Sequence, residues 1–328
     1  MLYKSLQKGL LSSAVLLLVL ALAACGPKSS GSITEGKVNV ITTFYPIYEF
    51  AIEIGGEDIN AINLLPVGVE PHDWTPRSQD IINTSKAQLF LYNGAGLEGW
   101  VPNFLKSLDS DSEAKAVEVS KGVKLIMTDE EDGHDHGHDH SHGEEETEAE
   151  HGDSLHTDPH TWVSPKSALV MAKNIKDSLQ AVDPAHTAGY EERYQKLADR
   201  LSALDDKFTE ELGKLPNKEI VVSHQAFSYL ARDYGLSQHA IMGLSPDAEP
   251  RGQDLVKLAA LIKEEGIRYI FFEELVSDKL AKTLASETGV STMVLNPVEG
   301  LTEAQQKNGD NYFTLMEKNL QNLILALQ

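Results

Sequence analysis

The chain of 328 residues contains a single cysteine, Cys25. It can therefore form no internal disulfide bond, and no metal ligand beyond this position can be a thiolate. Basic residues are scarce as well: 28 Lys and Arg stand against 50 Asp and Glu, which gives a formal net charge of −22. Since proteins bind nucleic-acid phosphates with surplus Lys and Arg, this balance argues against a nucleic-acid partner.

The mostly apolar run near the N-terminus is short. Residues 10–22 follow two lysines and are too few to span a bilayer stably. The run ends in Leu22-Ala23-Ala24-Cys25, which resembles the bacterial lipobox. We therefore predict a lipoprotein signal peptide at residues 1–24, a lipidated Cys25 and a flexible tether at residues 25–36. An ordinary signal peptide with an incidental cysteine is the alternative.

Beyond residue 37, short apolar runs alternate with helical patterns, which is typical of repeated β-α units around a parallel sheet. Such units are predicted in two stretches, residues 37–186 and 215–328. Between them, residues 187–214 carry apolar side chains at intervals of three and four, which predicts one helix of ~40 Å. The predicted fold class is therefore α/β, with two (β/α) lobes of largely parallel sheets joined by a single long rigid helix. A long surface helix is the plainer alternative for the middle segment.

The strands predicted in the first lobe are residues 38–43, 61–65, 89–92 and 116–119, and those in the second lobe are residues 219–223, 238–242, 268–272 and 291–295. Helices are predicted at residues 46–54, 77–86, 99–108, 226–234, 253–265 and 278–288, and a closing helix at about residues 311–327.

A low-complexity insert, residues 129–156, interrupts the first stretch. Its residues 129–153 include twelve Asp and Glu and no Lys or Arg, and removing these twelve charges from −22 leaves −10 for the rest of the chain. This composition cannot bury a core and predicts disorder. Alternating histidines fall on one side of an extended chain, so neighbouring pairs can chelate a divalent ion. The predicted accessory metal site consists of His134, His136, His138, His140, His142 and His151. A merely solvated acidic loop is the alternative.

A second, primary metal site is predicted from three histidines outside the insert. His72, His160 and His224 lie in loops that follow strands, and Glu299 follows the strand at residues 291–295. Because ligands bind beyond the carboxyl ends of parallel strands, two facing sheets would bring these side chains together. Three imidazoles and one carboxylate make a tetrahedral site that suits zinc.

The sequence around these histidines strengthens that prediction. His72 and His160 both stand in the tetrapeptide Pro-His-x-Trp, in which the proline restricts the backbone before the ligand and the tryptophan can exclude water. The remaining two histidines, His186 and His239, lie at a helix junction and inside a predicted strand. Neither is expected to bind metal at the primary site.

Together, the motifs Pro-His-Asp, Asp-Pro-His-x-Trp and Ser-His-Gln-Ala-Phe resemble those of the metal-specific substrate-binding lipoproteins of ABC transporters (metal-binding cluster A-I), in particular the zinc-uptake branch. The resemblance covers nearly the whole mature chain. It implies two lobes with a metal ion between them, held by His72, His160, His224 and the acidic fourth ligand Glu299. Glu70 or a water molecule is the alternative fourth ligand. Histidine at position 224 favours zinc, because the manganese-binding relatives usually have glutamate there.

This resemblance implies an extracytoplasmic, high-affinity protein that delivers Zn(II) to the permease and ATPase of an ABC importer. It implies a monomer that is not an enzyme, held at the cell membrane by its lipid. Gly26 carries no inner-membrane retention signal, which favours a Gram-positive surface. The alternatives are transport of manganese or another divalent metal, an exported zinc hydrolase, and a metal-binding adhesin or metal buffer with no transporter. Adhesion as an added role also stays open. The hydrolase is disfavoured because neither His-Glu-x-x-His nor Gly-x-Ser-x-Gly occurs.

Overall fold

A computed structural model describes residues 31–128 and 156–328. The described chain contains two four-stranded sheets whose strand pairs are all parallel, and one antiparallel pair of short strands. The α/β class and the parallel sheets predicted from the sequence are thereby confirmed. The predicted signal peptide, Cys25 and the histidines His134 to His151 lie outside the described residues.

The two sheets have the same topology. The first has the order β2-β1-β3-β4 and the second the order β10-β9-β7-β8, so in each the first strand pairs with the second on one side and the third on the other. The strands of the first sheet are β1 (Val38–Thr42), β2 (Ile59–Asn63), β3 (Leu89–Tyr92) and β4 (Lys115–Glu118). Those of the second are β7 (Glu219–Val222), β8 (Ser237–Ala240), β9 (Tyr269–Phe272) and β10 (Ser291–Val294). Each sheet therefore has a switch point beside its first strand, where ligands of such folds bind.

Helices surround both sheets. In the first half of the chain they are α1 (Tyr45–Gly55), α2 (Ser78–Ser85), α3 (Val101–Lys106), α4 (Pro165–Val182) and α5 (Thr187–Gly213). In the second half they are α6 (Ser228–Tyr234), α7 (Gly252–Glu264), α8 (Lys279–Thr288), α9 (Glu303–Asn308) and α10 (Tyr312–Leu327). Three-residue 3-10 turns occupy Gly56–Asp58, Thr161–Val163 and Pro184–His186. In the part of the chain that the structure describes, no helix is long and apolar enough to cross a membrane.

The central strands are apolar on both faces because helices cover both sides of each sheet. Val40 and Ile41 of β1 are fully buried, as are Leu89, Phe90 and Leu91 of β3. The second sheet has the same character in β7 and β9.

The long helix α5 contacts elements of both lobes. It packs against α1 and α4 of the first lobe and against α6 and α10 of the second. The predicted apolar stripe is the face that it buries: Tyr190, Leu197, Leu201, Leu204, Phe208 and Leu212 are inaccessible or nearly so. Arg193 on this helix donates to the carbonyl of Ile54 at 2.6 Å and pairs with Asp58 at 2.6 Å. A helix of 27 residues fixed in this way braces the two lobes against each other.

The structure differs from the predicted elements in three respects, of which the first is the short helix α9 (Glu303–Asn308), which was not predicted. Helix α4 was not predicted, although its buried positions Ala168, Met171, Ile175 and Leu179 follow the helical period. His156, assigned to the insert, instead belongs to β6 (His156–Thr157), which pairs with β5 (Met127–Thr128) so that Thr128 faces His156. This pairing continues into a hydrogen bond from the Asp158 amide to the Ile126 carbonyl at 2.9 Å, which holds both ends of the insert together.

This pairing predicts that the insert can be removed without disturbing either sheet. Deleting residues 129–153 leaves Ser154 and Leu155 as a two-residue connection between paired residues, and Ser154→Asn with Leu155→Gly supplies a favoured hairpin turn. We expect the shortened protein to keep the far-ultraviolet circular dichroism of its folded lobes. In calorimetry with excess zinc it should bind close to one equivalent, whereas the full chain binds more. If the shortened protein no longer bound one zinc ion tightly, the insert would have to supply ligands of the primary site.

Candidate metal centre

Four buried side chains meet between the two sheets. Among the described residues, His72, His160, His224 and Glu299 form a group in which one ligand atom of each lies within 4.8 Å of all the others. His72 is 6% exposed, His160 and His224 are 0% exposed, and Glu299 is 2% exposed. His72 lies in the loop after β2, His224 two residues after β7, and Glu299 in the loop after β10. The structure thus brings together the four residues that were predicted from strand-end positions.

Five of the six distances between the four ligand atoms are close to the edge lengths of a tetrahedral zinc site. The His160 Nε2 atom lies 3.1 Å from His72 Nε2 and 3.2 Å from His224 Nε2. The Glu299 Oε1 atom lies 3.5, 3.4 and 3.7 Å from the Nε2 atoms of His72, His160 and His224. Zinc–nitrogen bonds of 2.0–2.1 Å require tetrahedral edges of about 3.3–3.4 Å, so these atoms are spaced to surround such an ion.

Two carboxylates orient two of the three imidazoles, those of His160 and His224. The Nδ1 atom of His160 lies 2.9 Å from Asp158 Oδ1, and that of His224 lies 2.7 Å from Glu273 Oε1. Because a carboxylate accepts hydrogen bonds, each Nδ1 carries the proton and each Nε2 presents a lone pair to the centre. The Glu299 Oε1 atom, which faces the same centre, is buried without a hydrogen-bond partner. Several electron-rich atoms therefore face one another, an arrangement that a cation stabilises.

The loop that carries His160 is also fixed by the switch point of the first sheet. Asn93, just after β3, donates from Nδ2 to the carbonyl of Pro159 at 2.8 Å and accepts from the hydroxyl of Thr161 at 3.0 Å. The backbone amide of Asn93 donates to the carboxyl of Glu98 at 2.8 Å. Burial raises the pKa of Glu98 to about 7, in spite of these hydrogen bonds. The first lobe thereby holds the backbone on both sides of His160.

Burial and neighbouring charge shift the pKa values of the cluster in different directions. Burial lowers the pKa of His160, but the hydrogen bond to Asp158 and the nearby Glu299 carboxylate, 3.4 Å away, outweigh burial and raise the pKa above its ordinary value. In His224, burial is likewise outweighed by the charge and hydrogen bond of Glu273 together with Glu299, and its pKa is raised well above the ordinary value. In His72 burial prevails and lowers the pKa. Burial would raise the pKa of Glu299, yet the three histidines hold it well below the usual range.

Glu70, the alternative fourth ligand, is turned toward its own loop. Its two carboxylate oxygens accept the backbone amide of His72 at 3.0 and 2.9 Å. One of them lies 3.9 Å from His72 Nε2, which is farther than any contact of Glu299 with the three rings. Burial and the charge of Glu299 raise the pKa of Glu70 to about 8. The geometry therefore favours Glu299 over Glu70 as the fourth donor.

His186 and His239, which were not expected to bind metal here, do not belong to the four-residue group and pair with carboxylates elsewhere. His186 is about half exposed and lies 2.7 Å from Asp183, and His239 on β8 lies 2.6 Å from Glu219. Sequence reasoning missed the supporting roles of Asp158 and Glu273. Glu273 directly follows β9, so the rule that identified Glu299 would also have identified it. Asp158 stands in the quoted Asp-Pro-His-x-Trp motif, but only the structure shows its contact with His160.

Two parallel-sheet lobes of like topology with a buried His₃Glu group between them define a two-lobed protein with a centre suited to a metal ion. A family model described as "Zinc-uptake complex component A periplasmic" matches residues 40–326, and the chain belongs to this family.

Curated relatives include the zinc-binding lipoprotein AdcA of Streptococcus pneumoniae, 41% identical over 94% of this chain, and the high-affinity zinc uptake system protein ZnuA of Bacillus subtilis, 42% identical over 92% of each chain. The chain spans 58% of the length of AdcA.

Solved structures show the same fold. The Zn(II)-bound ZnuA-like domain of Streptococcus pneumoniae AdcA is similar with a TM-score of 0.72 and 38% identity, covering 89% of this chain and 99% of that one. The laminin-binding adhesin Lmb of Streptococcus agalactiae gives a TM-score of 0.74 at 28% identity, covering 88% of this chain and 99% of that one.

The pKa shifts predict how the stability of the metal-free protein depends on pH. Raised pKa values of His160 and His224 contribute stability that is complete below the unfolded histidine pKa of ~6.5 and is lost as pH rises through the folded values. The raised pKa of Glu70, about 8, acts in the same direction because the folded state keeps a proton that the unfolded state has lost. We expect chelator-treated protein to be less stable at pH 8 than at pH 6 in urea unfolding. His72, with its lowered pKa, opposes this trend.

The matched control is a His160→Asn, His224→Asn double variant, which removes both imidazoles with raised pKa values. Its stability should change less between pH 6 and pH 8. If the native metal-free protein became more stable over this interval, the assigned direction of the histidine shifts would be wrong.

Proposed function

We propose that this protein is an extracytoplasmic zinc-binding protein that delivers Zn(II) to an ABC importer, with His72, His160, His224 and Glu299 as the ligands. The observation that carries the proposal is the convergence of their four ligand atoms, at tetrahedral spacing, in a buried centre. Membership in the zinc-uptake family and the zinc-binding names of the relatives support it.

Zinc is favoured over manganese by the donor set. Three imidazole nitrogens and one carboxylate oxygen are ligands that zinc accepts in four-coordinate geometry, whereas manganese and magnesium prefer oxygen ligands in six-coordinate sites. His224 is held as a nitrogen donor by Glu273, because the carboxylate fixes the proton on Nδ1. The site therefore presents three imidazole nitrogens to one ion, and carboxylates fix the orientation of two of these rings, His160 and His224.

A binding role is favoured over catalysis. A catalytic zinc keeps one position open for water and needs a general base beside it. In this centre Glu299 completes the tetrahedron, and Glu70, whose carboxylate lies 3.9 Å from His72 Nε2, accepts the amide of His72. The family is one of substrate-binding components, which agrees with the closed geometry.

We propose that the working molecule has a first lobe at residues 37–186, a linker helix at 187–214 and a second lobe at 215–328. We further propose that a lipid on Cys25 holds it at the outer face of a cell membrane, where a permease and its ATPase receive the zinc. Relatives named lipoproteins from Streptococcus support this, and favour a Gram-positive surface. The likeness to laminin-binding adhesins rests on the shared fold, so we propose transport alone.

Removal of a ligand should weaken zinc binding strongly. We expect His72→Ala, His160→Ala and His224→Ala each to lower zinc affinity about a hundredfold or more, because each loses a bond and opens the closed shell. In the native protein, zinc at one hundred times its dissociation constant adds about 2.7 kcal/mol to folding stability. The resulting thermal shift should shrink in all three variants at the same zinc concentration.

His186→Ala and His239→Ala are the matched controls, since both remove a described histidine that pairs with a carboxylate elsewhere. They should keep the full shift. A full zinc-induced shift in His72→Ala, His160→Ala or His224→Ala would remove that histidine from the ligand set.

The proposed lipid anchor has a direct test in membrane fractionation. Cys25→Ala should release the protein into the soluble fraction, because a cysteine thiol is the attachment point of the lipid, and its zinc affinity should not change. Continued membrane association of this variant would contradict the anchor.

A further inference from the structure

Glu299 stands in a loop with an unfavourable backbone. The residue before it, Val298, has φ +60° and is fully buried. A branched β-carbon is disfavoured in this left-handed region, which glycine and asparagine tolerate much better. Such a conformation persists where the surroundings over-determine it, and it occurs preferentially at functional sites. The contacts that hold this loop are therefore informative.

One set of contacts comes from helix α10 of the same lobe. Asn319, which is 1% exposed, accepts the amide of Asn296 at 2.8 Å and donates to the Asn296 carbonyl at 2.6 Å. The Asn296 side chain in turn accepts the amide of Val298 at 2.7 Å. Since the Asn319 side chain binds both the amide and the carbonyl of Asn296, it fixes the backbone orientation at the start of the loop that leads to Glu299.

The second contact comes from the loop that carries His160. The indole Nε1 of Trp162 donates to the carbonyl of Pro297 at 2.7 Å, two residues before Glu299. Trp162 is itself fully buried, lies edge-on to Phe44 with ring centroids 4.6 Å apart, and has its own carbonyl bound by the hydroxyl of Tyr312 at 2.8 Å. The loop bearing one ligand is thus hydrogen-bonded to the loop bearing another.

The tryptophan of the first Pro-His-x-Trp motif behaves differently. Trp74 is only partly buried and packs against Trp100, with ring centroids 5.7 Å apart, inside the first lobe. The two matching tetrapeptides therefore have different tryptophan roles. Only the contact of Trp162 reaches the backbone that leads to an acidic donor.

We infer that Trp162 and Asn319 are positioning residues that set the carboxylate of Glu299 against the three imidazoles. Neither residue belongs to the group of ligand atoms, and the hydrogen bonds of both reach the backbone of the Asn296–Glu299 loop. The Trp162 ring also lies 5.4 Å from the His160 ring, a contact that Trp162→Phe keeps as an aromatic one while removing the indole N–H. This inference rests on the proposed function, in which Glu299 is the fourth zinc ligand. Its consequence is that loss of either residue weakens zinc binding only as long as Glu299 is present.

A double-mutant cycle tests this dependence. Trp162→Phe and Asn319→Ala are each made alone and together with Glu299→Ala, and zinc affinity is measured by competition with a chromophoric chelator. Supporting residues of metal sites typically contribute about 10–100-fold to metal affinity, and we expect losses of that size in the native background. In the Glu299→Ala background the same substitutions should change affinity less than about threefold, because residues that act as one unit are not additive.

The controls are Trp100→Phe and Asn322→Ala. Asn322 lies on the same helix as Asn319 but donates to the carbonyl of Val294, at the end of β10, at 2.8 Å. Neither control should alter zinc affinity more than about threefold, since independent sites show little coupling. Cobalt(II) provides a second readout, because its visible absorption reports coordination geometry. Both positioning variants should change this spectrum in the same sense as Glu299→Ala.

Equal losses of affinity in both backgrounds, or no loss in the native background, would overturn the inference. If Glu299→Ala alone left zinc affinity unchanged, the proposed ligand set would fail instead. Should Trp162→Phe not fold, replacement of Trp162 by 3-benzothienylalanine keeps the ring shape and exchanges N–H for sulfur. That variant should also lose zinc affinity only when Glu299 is present. An equal loss with and without Glu299, or no loss at all, would contradict the role of the indole hydrogen bond.

Discussion

The site depends on one constraint: the fold holds four electron-rich ligand atoms so close together that their mutual repulsion must be relieved by a cation. Three imidazole nitrogens and a carboxylate oxygen meet in the interior, and five of their six separations are 3.1 to 3.7 Å. Water cannot screen these groups there, so a proton or a metal ion must be shared among them. The raised pKa values of His160 and His224 and the depressed pKa of Glu299 express this requirement in the metal-free protein. Zinc meets the same requirement with one ion.

Two like sheets explain how such a cluster is built. In each sheet the chain reverses direction of winding beside its first strand, and the loops at that edge carry the polar groups. In the second sheet His224 and Glu273 follow the adjacent strands β7 and β9, and their side chains meet there. In the first sheet Asn93 occupies the corresponding region and binds the backbone of the His160 loop. Helix α5 and hydrogen bonds between loops of the two lobes, such as Gly68 to Leu301 at 2.9 Å, keep the two edges facing each other.

The sequence predicted the parallel lobes, the long helix and the meeting of the four candidate ligands, because those features follow from periodic apolar patterns and from strand ends. It did not predict the hydrogen bond of Asp158 to the His160 ring, which depends on side-chain orientation. Nor did it predict the hydrogen bonds of Asn319 to the backbone of Asn296, because contacts between residues distant in the chain leave no local pattern. The positive φ of Val298 was equally invisible, because valine is among the residues least expected there. Helix α4 was missed although its buried positions follow the helical period. His156 was placed in the insert by composition, whereas its pairing with Thr128 depends on backbone hydrogen bonds.

The most direct test of the central claim is metal analysis of the protein as purified from cells, combined with X-ray absorption at the zinc edge. We expect one tightly held zinc per chain in the variant that lacks residues 129–153. Its first coordination shell should hold four nitrogen or oxygen atoms at about 2.0–2.1 Å, with the outer-shell scattering of three imidazoles. A six-coordinate shell, a shell with fewer than three imidazoles, or manganese as the retained metal would contradict it.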